Sequence, residues 1–358
     1  MIQCFGAICG QAAVFVFLES VSVFVVFISE YQGIKMVEKL KVFVVMPAYN
    51  EAAHIANVIR HMPAIVDKII VVDDCSSDNT AEAARATGDS RIEVIRNSKN
   101  LGVGGATVAG YRCALECGAD VVVKVDADGQ MDPQAIGKLV KPIVEGIADY
   151  TKGFRFRDRE SIRKIPKVRL IGNMGLSYLV KMASGYWNIF DPTNGFTAIH
   201  RIALAMIDLD KLSKDYFFET DMLCNLYRIL ATIKDIPEPT HYGDEVSELN
   251  PLKALVQFPG KLFCAYIKRI IWRYYVRDFS TFSVLFLIGW VFMLFGIGFG
   301  AVEWYLNATR GVITTTGTVM LSVVPLFLGF QMILQAILLD VNNIPKDPLQ
   351  KEYTDNSP

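Results

Sequence analysis

The chain has 358 residues, enough for one large domain or two of ordinary size. Its formal net charge of −1 excludes a global basic field of the kind that attracts nucleic acid, so any anion site must be local. Hydrophobic residues make up 52% of the sequence and the mean hydropathy is +0.31, with the excess at the two ends of the chain, which indicates a membrane protein.

The seven cysteines and four histidines show neither a disulfide framework nor a zinc-ligand spacing. The closest approach to such a pattern is Cys113 with Cys117, which has no His and no second Cys pair nearby. We therefore interpret the cysteines as reduced residues of a cytosolic domain.

The first 34 residues are mostly apolar and carry no Lys or Arg. The run from Cys4 to Ile28 is long enough to span a bilayer, although Gln11 and Glu19 interrupt it. A cleaved secretory signal is disfavoured because no positive residues precede the apolar run. Two alternatives remain: a helix that crosses or lies on the membrane, or an extension ahead of a translation start at Met36.

Strands alternate with helices between residues 35 and 250. Strands are predicted at 41–47, 69–72, 92–97 and 121–125, each an apolar run followed by a polar or glycine-rich turn. Helices are predicted between them, at 170–183, and from about Glu219 onward. This alternation is typical of an α/β domain with a mostly parallel, Rossmann-like sheet and right-handed crossovers.

The end of the fourth strand carries the strongest chemical signal. Four valines among residues 121–125 give way to Asp126, Asp128 and Gln130, with the turn former Gly129 between them. Ligand crevices of α/β sheets open at the carboxyl ends of strands. Two carboxylates one residue apart suit a hard divalent cation, which keeps water and ligand phosphates as its other partners. We therefore predict a metal bound to a diphosphate, the alternative being an ordinary solvated turn.

The segment 152–169 follows this acidic loop and carries eight Lys or Arg residues. Such a density of charge is usual in a solvated loop. Its position after the predicted metal site also suggests that some of these side chains receive an anionic substrate.

Residues 251–278 predict a basic amphipathic helix. Arg269, Arg273 and Arg277 recur every four residues, and apolar residues such as Phe263 and Ile270 lie largely on the opposite face. A helix of this kind suits the surface of an anionic membrane. The alternative is a packed helix with a solvated stripe.

The segment 279–341 predicts two transmembrane helices. Residues 281–302 have no charge, and residues 317–339 have only Gln331 and Gln335 as strongly polar members. The basic helix precedes this hairpin, and the polar tail, 342–358, adds Lys346 and Lys351 after it. The positive-inside rule then places both ends of the hairpin, and the α/β domain, in the cytoplasm.

Four short motifs stand in the α/β domain. They are Pro47-Ala48-Tyr49-Asn50-Glu51, then Val72-Asp73-Asp74 with Ser76, Asp78 and Thr80, then Asn100 with Gly102, Gly104, Gly105 and Ala106, and finally Asp126-Ala127-Asp128-Gly129-Gln130. In order and spacing they resemble the family 2 glycosyltransferases of the dolichol-phosphate mannose synthase and polyprenyl-phosphate glycosyltransferase type. The resemblance covers about residues 41–250, and the hairpin matches members with two helices after the catalytic domain.

The resemblance implies a GT-A fold, a nucleotide-diphosphate sugar donor, Mg²⁺ or Mn²⁺, and inversion at the anomeric carbon. The implied nucleotide contacts are Pro47, Tyr49, Glu51, Gly104 and Asp126, with Asp73 or Asp74 on the base or ribose. The implied metal loop is Asp126, Asp128 and Gln130. Asp128 is also implied to be catalytic. Arg155 and Arg169 are the implied clamps on a lipid phosphate. Asp191 is implied at the sugar pocket, and Asp221, with Glu219 nearby, at the acceptor. Phe154 departs from the family's Gly-Ser-Arg stretch.

The expected reaction is transfer of one sugar to an undecaprenyl or dolichyl phosphate at the cytoplasmic membrane face. A phosphate monoester has a second pKa of about 6, so this acceptor is ionised near pH 7 and needs no general base. Two alternatives stay open: a processive polysaccharide synthase on the same fold, and a membrane-tethered binding protein with an inactive domain. The expected partners are donor, lipid and membrane, with no nucleic acid, and self-association is left open.

Overall fold

The computed structural model describes residues 40–154, 167–238 and 251–351, without the side chains of 167–171, 173 and 251–257. The N-terminal apolar segment and Arg155 lie outside these ranges. In chain order the strands and helices are β1 (Val42–Ala48), α1 (Ile55–Arg60), β2 (Lys68–Asp73), α2 (Thr80–Arg85), β3 (Ile92–Arg96), α3 (Gly102–Glu116), β4 (Val121–Lys124), α4 (Ile136–Val144), β5 (Tyr150–Phe154), α5 (Lys167–Ser184), β6 (Thr197–His200), α6 (Arg201–Ala205), α7 (Phe218–Arg228), β7 (Ile233–Pro237), α8 (Pro251–Ile271), α9 (Thr281–Arg310) and α10 (Thr316–Asn342). A π-helical turn, Trp272–Arg277, follows α8.

Seven strands form one sheet in the order β3-β2-β1-β4-β6-β5-β7. All neighbouring strands are parallel except β6, which runs antiparallel to both β4 and β5. The predicted mostly parallel α/β sheet of GT-A type is thereby confirmed, as is the C-terminal helical hairpin. The apolar pattern of the sequence does not reveal β5 and β6, because both are short and carry polar residues such as Lys152 and Thr197.

Helices cover both faces of the sheet, so its central strands are apolar on both sides. On β1, Phe43 and Val45 belong to one core, whereas Val42, Val44 and Met46 belong to the other. The alternation follows from the period of two residues in a strand.

The strand register brings three carboxyl ends to one edge of the sheet. Ala48 of β1 lies opposite Asp73 of β2, and Val45 of β1 lies opposite Lys124 of β4. The loops that follow these three strands therefore lie side by side, at the edge where α/β sheets bind ligands.

Helices α9 and α10 pack against each other as a hairpin, and both are long and apolar enough to cross a membrane. Small residues allow the backbones to approach closely, since a Cβ on Gly329 would lie only 2.6 Å from the carbonyl oxygen of Gly289. The outer faces are apolar too, and Trp304 and Phe327 are each 71% exposed.

A buried ion pair joins this hairpin to the α/β domain. The guanidinium of Arg269, on α8, donates to the two carboxylate oxygens of Asp340, on α10, at 2.7 and 2.9 Å. It also donates to two backbone carbonyls at the carboxyl end of α5, at 2.8 and 3.2 Å. Asp340 accepts two further hydrogen bonds, from the Tyr274 hydroxyl at 2.6 Å and from Trp187 Nε1 at 3.1 Å. We call this group the Arg269–Asp340 clamp.

The clamp corrects one prediction about α8. Arg269 is only 2% exposed, so it does not share an open basic face with Arg273 and Arg277. Arg277 is exposed and Arg273 is partly buried. The four-residue spacing gave no indication of this difference, because the carboxylate that neutralises Arg269 lies 71 residues further along the chain.

Breaking the clamp on one side should destabilise the protein. We expect Arg269→Met to cost about 3 kcal/mol, because it leaves Asp340 as a buried charge without a counter-ion. The double variant Arg269→Met with Asp340→Leu should recover much of that loss, since replacing both members of a buried pair by apolar residues is often nearly neutral. Thermal unfolding of the full-length protein in detergent measures both effects.

The matched control is Arg277→Met, which removes an exposed guanidinium from the same segment and only one exposed hydrogen bond, to the Arg228 carbonyl at 3.2 Å. It should change the free energy of unfolding by less than about 0.5 kcal/mol. Equal losses for Arg269→Met and Arg277→Met would contradict the structural role of the clamp.

Candidate active site

The loop after β1 is tied to the loop after β2 at the ligand edge of the sheet. The Asn50 amide donates to Ser76 Oγ at 3.0 Å, and Asn50 Oδ1 accepts from the Ser77 amide at 2.9 Å. The Glu51 amide donates to Thr80 Oγ1 at 2.8 Å. Asn50 has a φ of 57°, a left-handed conformation that Asn tolerates better than most residues. The first two sequence motifs therefore form one connected surface, from which the Tyr49 side chain, 48% exposed, projects.

Asp73 and Asp74 are both buried and both already accept hydrogen bonds. Asp73 Oδ1 accepts from the Ser76 amide at 2.9 Å. The carboxylate of Asp74 accepts from the backbone amides of Leu101 and Gly102, at 2.9 and 2.8 Å, at the start of α3. Asp74 therefore holds the beginning of α3 against β2, where its charge also favours the helix N-terminus.

Gly104 is buried against another loop of the protein. Its amide donates to the Lys214 carbonyl at 3.0 Å, and a Cβ at this position would lie 2.3 Å from the Ser213 carbonyl oxygen. The nucleotide contact at Gly104 stays a prediction; what the structure shows is that this glycine allows α3 to pack closely on the loop that contains Ser213 and Lys214. Pro47, also predicted as a nucleotide contact, is buried within β1.

Asp126 belongs to a cluster of three charges at the end of β4. Lys124 is 1% exposed, and its Nζ lies 2.8 Å from Asp126 Oδ1 and 3.2 Å from Glu219 Oε1. Burial opposes the charge on Lys124, but the carboxylates of Asp126 and Glu219 outweigh it and raise the pKa of the amine above its ordinary value. The cluster is therefore a buried cation held between two partly exposed carboxylates.

The predicted metal loop continues from this cluster. Asp128 is half-buried, and its Oδ1 accepts from the Gln130 amide at 2.9 Å across Gly129, which has a φ of 78°. Gly195, from a distant loop, lies against Asp126, since a Cβ there would be 2.8 Å from Asp126 Oδ2. Any side chain at Gly195 would crowd the second oxygen of Asp126.

The loop that contains Asp191 is held by a second buried lysine. Lys152, on β5, donates to the Asn194 carbonyl, and Asn194 Nδ2 in turn donates to the Gly153 carbonyl at 2.8 Å. Burial lowers the pKa of Lys152 to about 8, although the charges of Glu219 and Asp191 oppose that effect. Asp191 itself is 2% exposed and accepts from Thr193 Oγ1 at 3.1 Å.

Asp235, on β7, fastens the same loop from the other side. Its Oδ2 accepts from the amide of Phe190, and its Oδ1 is buried with no hydrogen-bond partner among residues 40–154, 167–238 and 251–351. Burial raises the pKa of this carboxyl to about 6.

Asp221 does not join the Asp126 cluster. Its Oδ2 accepts from the Ser213 amide at 2.8 Å and from Ser213 Oγ at 2.9 Å. Residues two apart on an α-helix point about 200° apart, so Glu219 and Asp221 occupy opposite faces of α7. The structure therefore places Glu219 on the Lys124 amine that Asp126 also contacts, whereas Asp221, the acid predicted from the sequence, faces Ser213.

Of the two arginines predicted to clamp a phosphate, the structure describes only the backbone of Arg169. Arg169 lies in the first turn of α5, the helix whose carboxyl end contacts Arg269. Its side chain, like the whole of Arg155, lies outside the described part of the chain.

Lys124 is the site residue that sequence reasoning missed. It stands fourth in a strand that is otherwise valine, VVVKV, and a lone charge inside a buried strand needs a partner. That signal could have identified Lys124, but not its partner Glu219, which is 95 residues away.

Residues 43–207 match the family model described as Glycosyl transferase family 2. The UDP-N-acetylglucosamine--dolichyl-phosphate N-acetylglucosaminyltransferase of Methanococcus voltae is 31% identical over 224 residues, which cover 58% of this chain and 88% of that protein. The undecaprenyl-phosphate mannosyltransferase of Micrococcus luteus is 32% identical over 203 residues, covering 55% and 82%. The dolichol-phosphate mannosyltransferase of Pyrococcus furiosus is 26% identical over 276 residues, covering 72% and 74%.

The family match runs from β1 to just past α6, so it includes the Asp126 cluster's first two members, the metal loop and the Asp191 loop. The relative from Methanococcus voltae is matched over most of its length. The resemblance read from the four motifs is confirmed: the chain belongs to glycosyl transferase family 2 and is a glycosyltransferase.

Proposed function

We propose that this enzyme transfers one sugar from a UDP- or GDP-linked donor to a polyprenyl phosphate at the cytoplasmic face of a membrane, with inversion at the anomeric carbon. The observation that carries the proposal is the position of Asp126 and Asp128 at the carboxyl end of β4, in one compact unit with two helices able to cross a membrane. The three relatives described above are all named for a dolichyl, undecaprenyl or dolichol phosphate.

The carboxylates of Asp126 and Asp128 fit Mg²⁺ or Mn²⁺, with Gln130 as a further oxygen donor. Both acids are partly exposed, and two protein carboxylates leave positions for water and for diphosphate oxygens, as Mg²⁺ sites require. When bound, the ion would supply Lewis-acid stabilisation of the departing nucleotide diphosphate.

Lys124 and Glu219 are proposed to set the charge and orientation of Asp126. Lys124 holds Oδ1 of Asp126 at 2.8 Å, which leaves Oδ2 on the side of Gly195. Glu219 partly balances the lysine, so the cluster keeps one net negative charge. That negative charge lies at the start of the predicted metal loop, where it favours a cation.

The acceptor side of the reaction is assigned to Arg155, Arg169 and the Asp191 loop. Guanidinium groups bind phosphate in two parallel hydrogen bonds and so aim one oxygen at the anomeric carbon. The lipid phosphate arrives ionised, so no residue needs to remove a proton from it. Asp191 is proposed to line the sugar pocket, on the loop that Lys152 and Asp235 hold in place.

The hairpin supports membrane insertion because its surface is apolar and open. In the most apolar 18-residue stretch of α9 only 22% is buried within the protein, and in that of α10 only 11%. The core helix of a soluble protein is mostly buried. Apolar surface of this extent needs another cover, and lipid provides it. Lys346 and the basic residues of α8 flank the hairpin on its two chain ends, which favours a cytoplasmic α/β domain.

The test of the proposed function is a screen of UDP- and GDP-sugars against polyprenyl phosphate, followed by extraction and mass measurement of the lipid product. One sugar per lipid is the expected result. A polymer would favour a processive synthase instead. No transfer or hydrolysis of any donor with Mn²⁺ present would favour an inactive binding protein.

Loss of the second metal-loop acid should abolish turnover. We expect Asp128→Ala to lower the transfer rate by at least about 100-fold, because the several kcal/mol that a bound metal contributes to the transition state would be lost. Calorimetric titration with Mn²⁺ in the presence of the nucleotide should show the same loss of binding.

The control is Asp132→Ala, four residues further on. Asp132 accepts from the Gln134 amide at 2.9 Å, so its loss removes a cap worth about 1 kcal/mol of stability and leaves the metal loop intact. A similar loss of transfer in both variants would contradict the metal role of Asp128.

The two acids of α7 should differ in their effect on catalysis. We expect Glu219→Gln to lower kcat/KM by about 10-fold or more. Lys124 and Asp126 would then neutralise each other, and the Asp126 cluster would lose its net negative charge. Asp221→Asn should affect the rate less, since it only weakens the contact with Ser213. Steady-state kinetics of both variants, with Mn²⁺ binding measured in parallel, give the comparison. A larger loss for Asp221→Asn with intact metal binding would instead restore Asp221 as a catalytic acid or base.

A further inference from the structure

A cavity of about 630 Å³ lies between α7 and the segment formed by α8 and its π-helical turn. Its lining is strongly cationic: five basic side chains face one carboxylate, that of Asp221. The basic residues are Lys211, Arg228, Lys261, Lys268 and Arg269. Because it includes the Asp221 face of α7, the cavity lies on the opposite side of that helix from Glu219 and the Asp126 cluster.

Three of the five cations are neutralised by carboxylates outside the lining. Lys211 lies 2.6 Å from Asp208, Lys261 lies 2.6 Å from Asp215, and Arg269 belongs to the clamp. Arg228 and Lys268 are exposed and have no carboxylate partner among the residues that the structure describes. These two side chains therefore give the cavity an unbalanced positive charge, which favours an anion.

The other wall of the cavity is apolar and exposed. Ile271, Trp272 and Val276 line it and are 50%, 38% and 62% exposed. The Arg228 guanidinium carbon lies 5.5 Å from the centroid of the Trp272 ring, which fixes a cation beside an aromatic surface. An occupant that satisfies both walls carries an anionic group at one end and an apolar chain at the other.

The position of the cavity in the chain suggests where such an occupant comes from. The π-helical turn ends at Arg277, and α9, the first candidate membrane span, begins at Thr281. Phe279, between them, is 65% exposed. Tryptophan and basic side chains at the end of a span are typical of the level of the lipid headgroups.

We propose that this cavity binds an anionic phospholipid of the bilayer, with the headgroup phosphate between Arg228 and Lys268 and an acyl chain along Ile271, Trp272 and Val276. The proposal rests on the membrane location proposed above and concerns a site separate from the sugar-transfer site. Its effect is to hold the turn between α8 and α9 at the membrane surface.

The test uses full-length protein purified in a zwitterionic detergent, without donor sugar. Native mass spectrometry counts bound phosphatidylglycerol and phosphatidylcholine with identical acyl chains. We expect preferential binding of phosphatidylglycerol. The double variant Arg228→Gln/Lys268→Gln should reduce that preference by about 10-fold or more, because each substitution removes one cationic side chain that contacts the headgroup phosphate.

The matched control is Lys138→Gln/Lys141→Gln, which removes the same charge from the exposed side of α4 and should keep the preference. Three results would overturn the proposal: equal binding of the two phospholipids, an equal loss in both double variants, or displacement of phosphatidylglycerol by an equimolar polyprenyl phosphate, which would make the cavity an acceptor site. Because no sugar is transferred in the measurement, its outcome is independent of the proposed reaction.

Discussion

The Arg269–Asp340 clamp is the interaction on which the arrangement of the whole molecule depends. A buried guanidinium is costly unless it is paired and hydrogen-bonded, and here all its partners come from segments far apart in the chain. These hydrogen bonds hold α8, α10 and the carboxyl end of α5 against one another. Trp187 extends the same network into the loop that leads to Asp191. The position of the hairpin and that of the Asp191 loop are therefore linked.

A second buried cation paired with carboxylates lies inside the sheet. Lys124 is buried at the end of β4, and its charge is sustained by Asp126 on one side and Glu219 on the other. A lysine in this place fixes one oxygen of Asp126 and leaves the other beside Gly195, where no side chain intervenes. The net charge beside the predicted metal loop therefore depends partly on Lys124, which lies outside that loop.

A buried lysine and a partly buried aspartate also organise the loop that contains Asp191. Lys152 holds the Asn194 carbonyl, and Asp235 holds the amide of Phe190, so the Asp191 loop is fastened at two points. Charged groups kept from water in this way are expensive, and the lowered pKa of Lys152, to about 8, reflects that cost. Such preorganisation is what a transferase needs if the acceptor brings its own negative charge and the protein contributes mainly position.

The sequence by itself determined the alternating strands and helices, the acidic end of β4, the two apolar spans and the family. All of these are local patterns, and hydrophobic periodicity or a short motif expresses them directly. Only the tertiary structure decided that Asp74 accepts from the first amides of α3, that Glu219 rather than Asp221 shares Lys124 with Asp126, and that Arg269 is buried. In each case the deciding partner lies many residues away or on the other face of a helix. The sequence shows which side chains are charged, but the packing of the chain determines which group neutralises each of them.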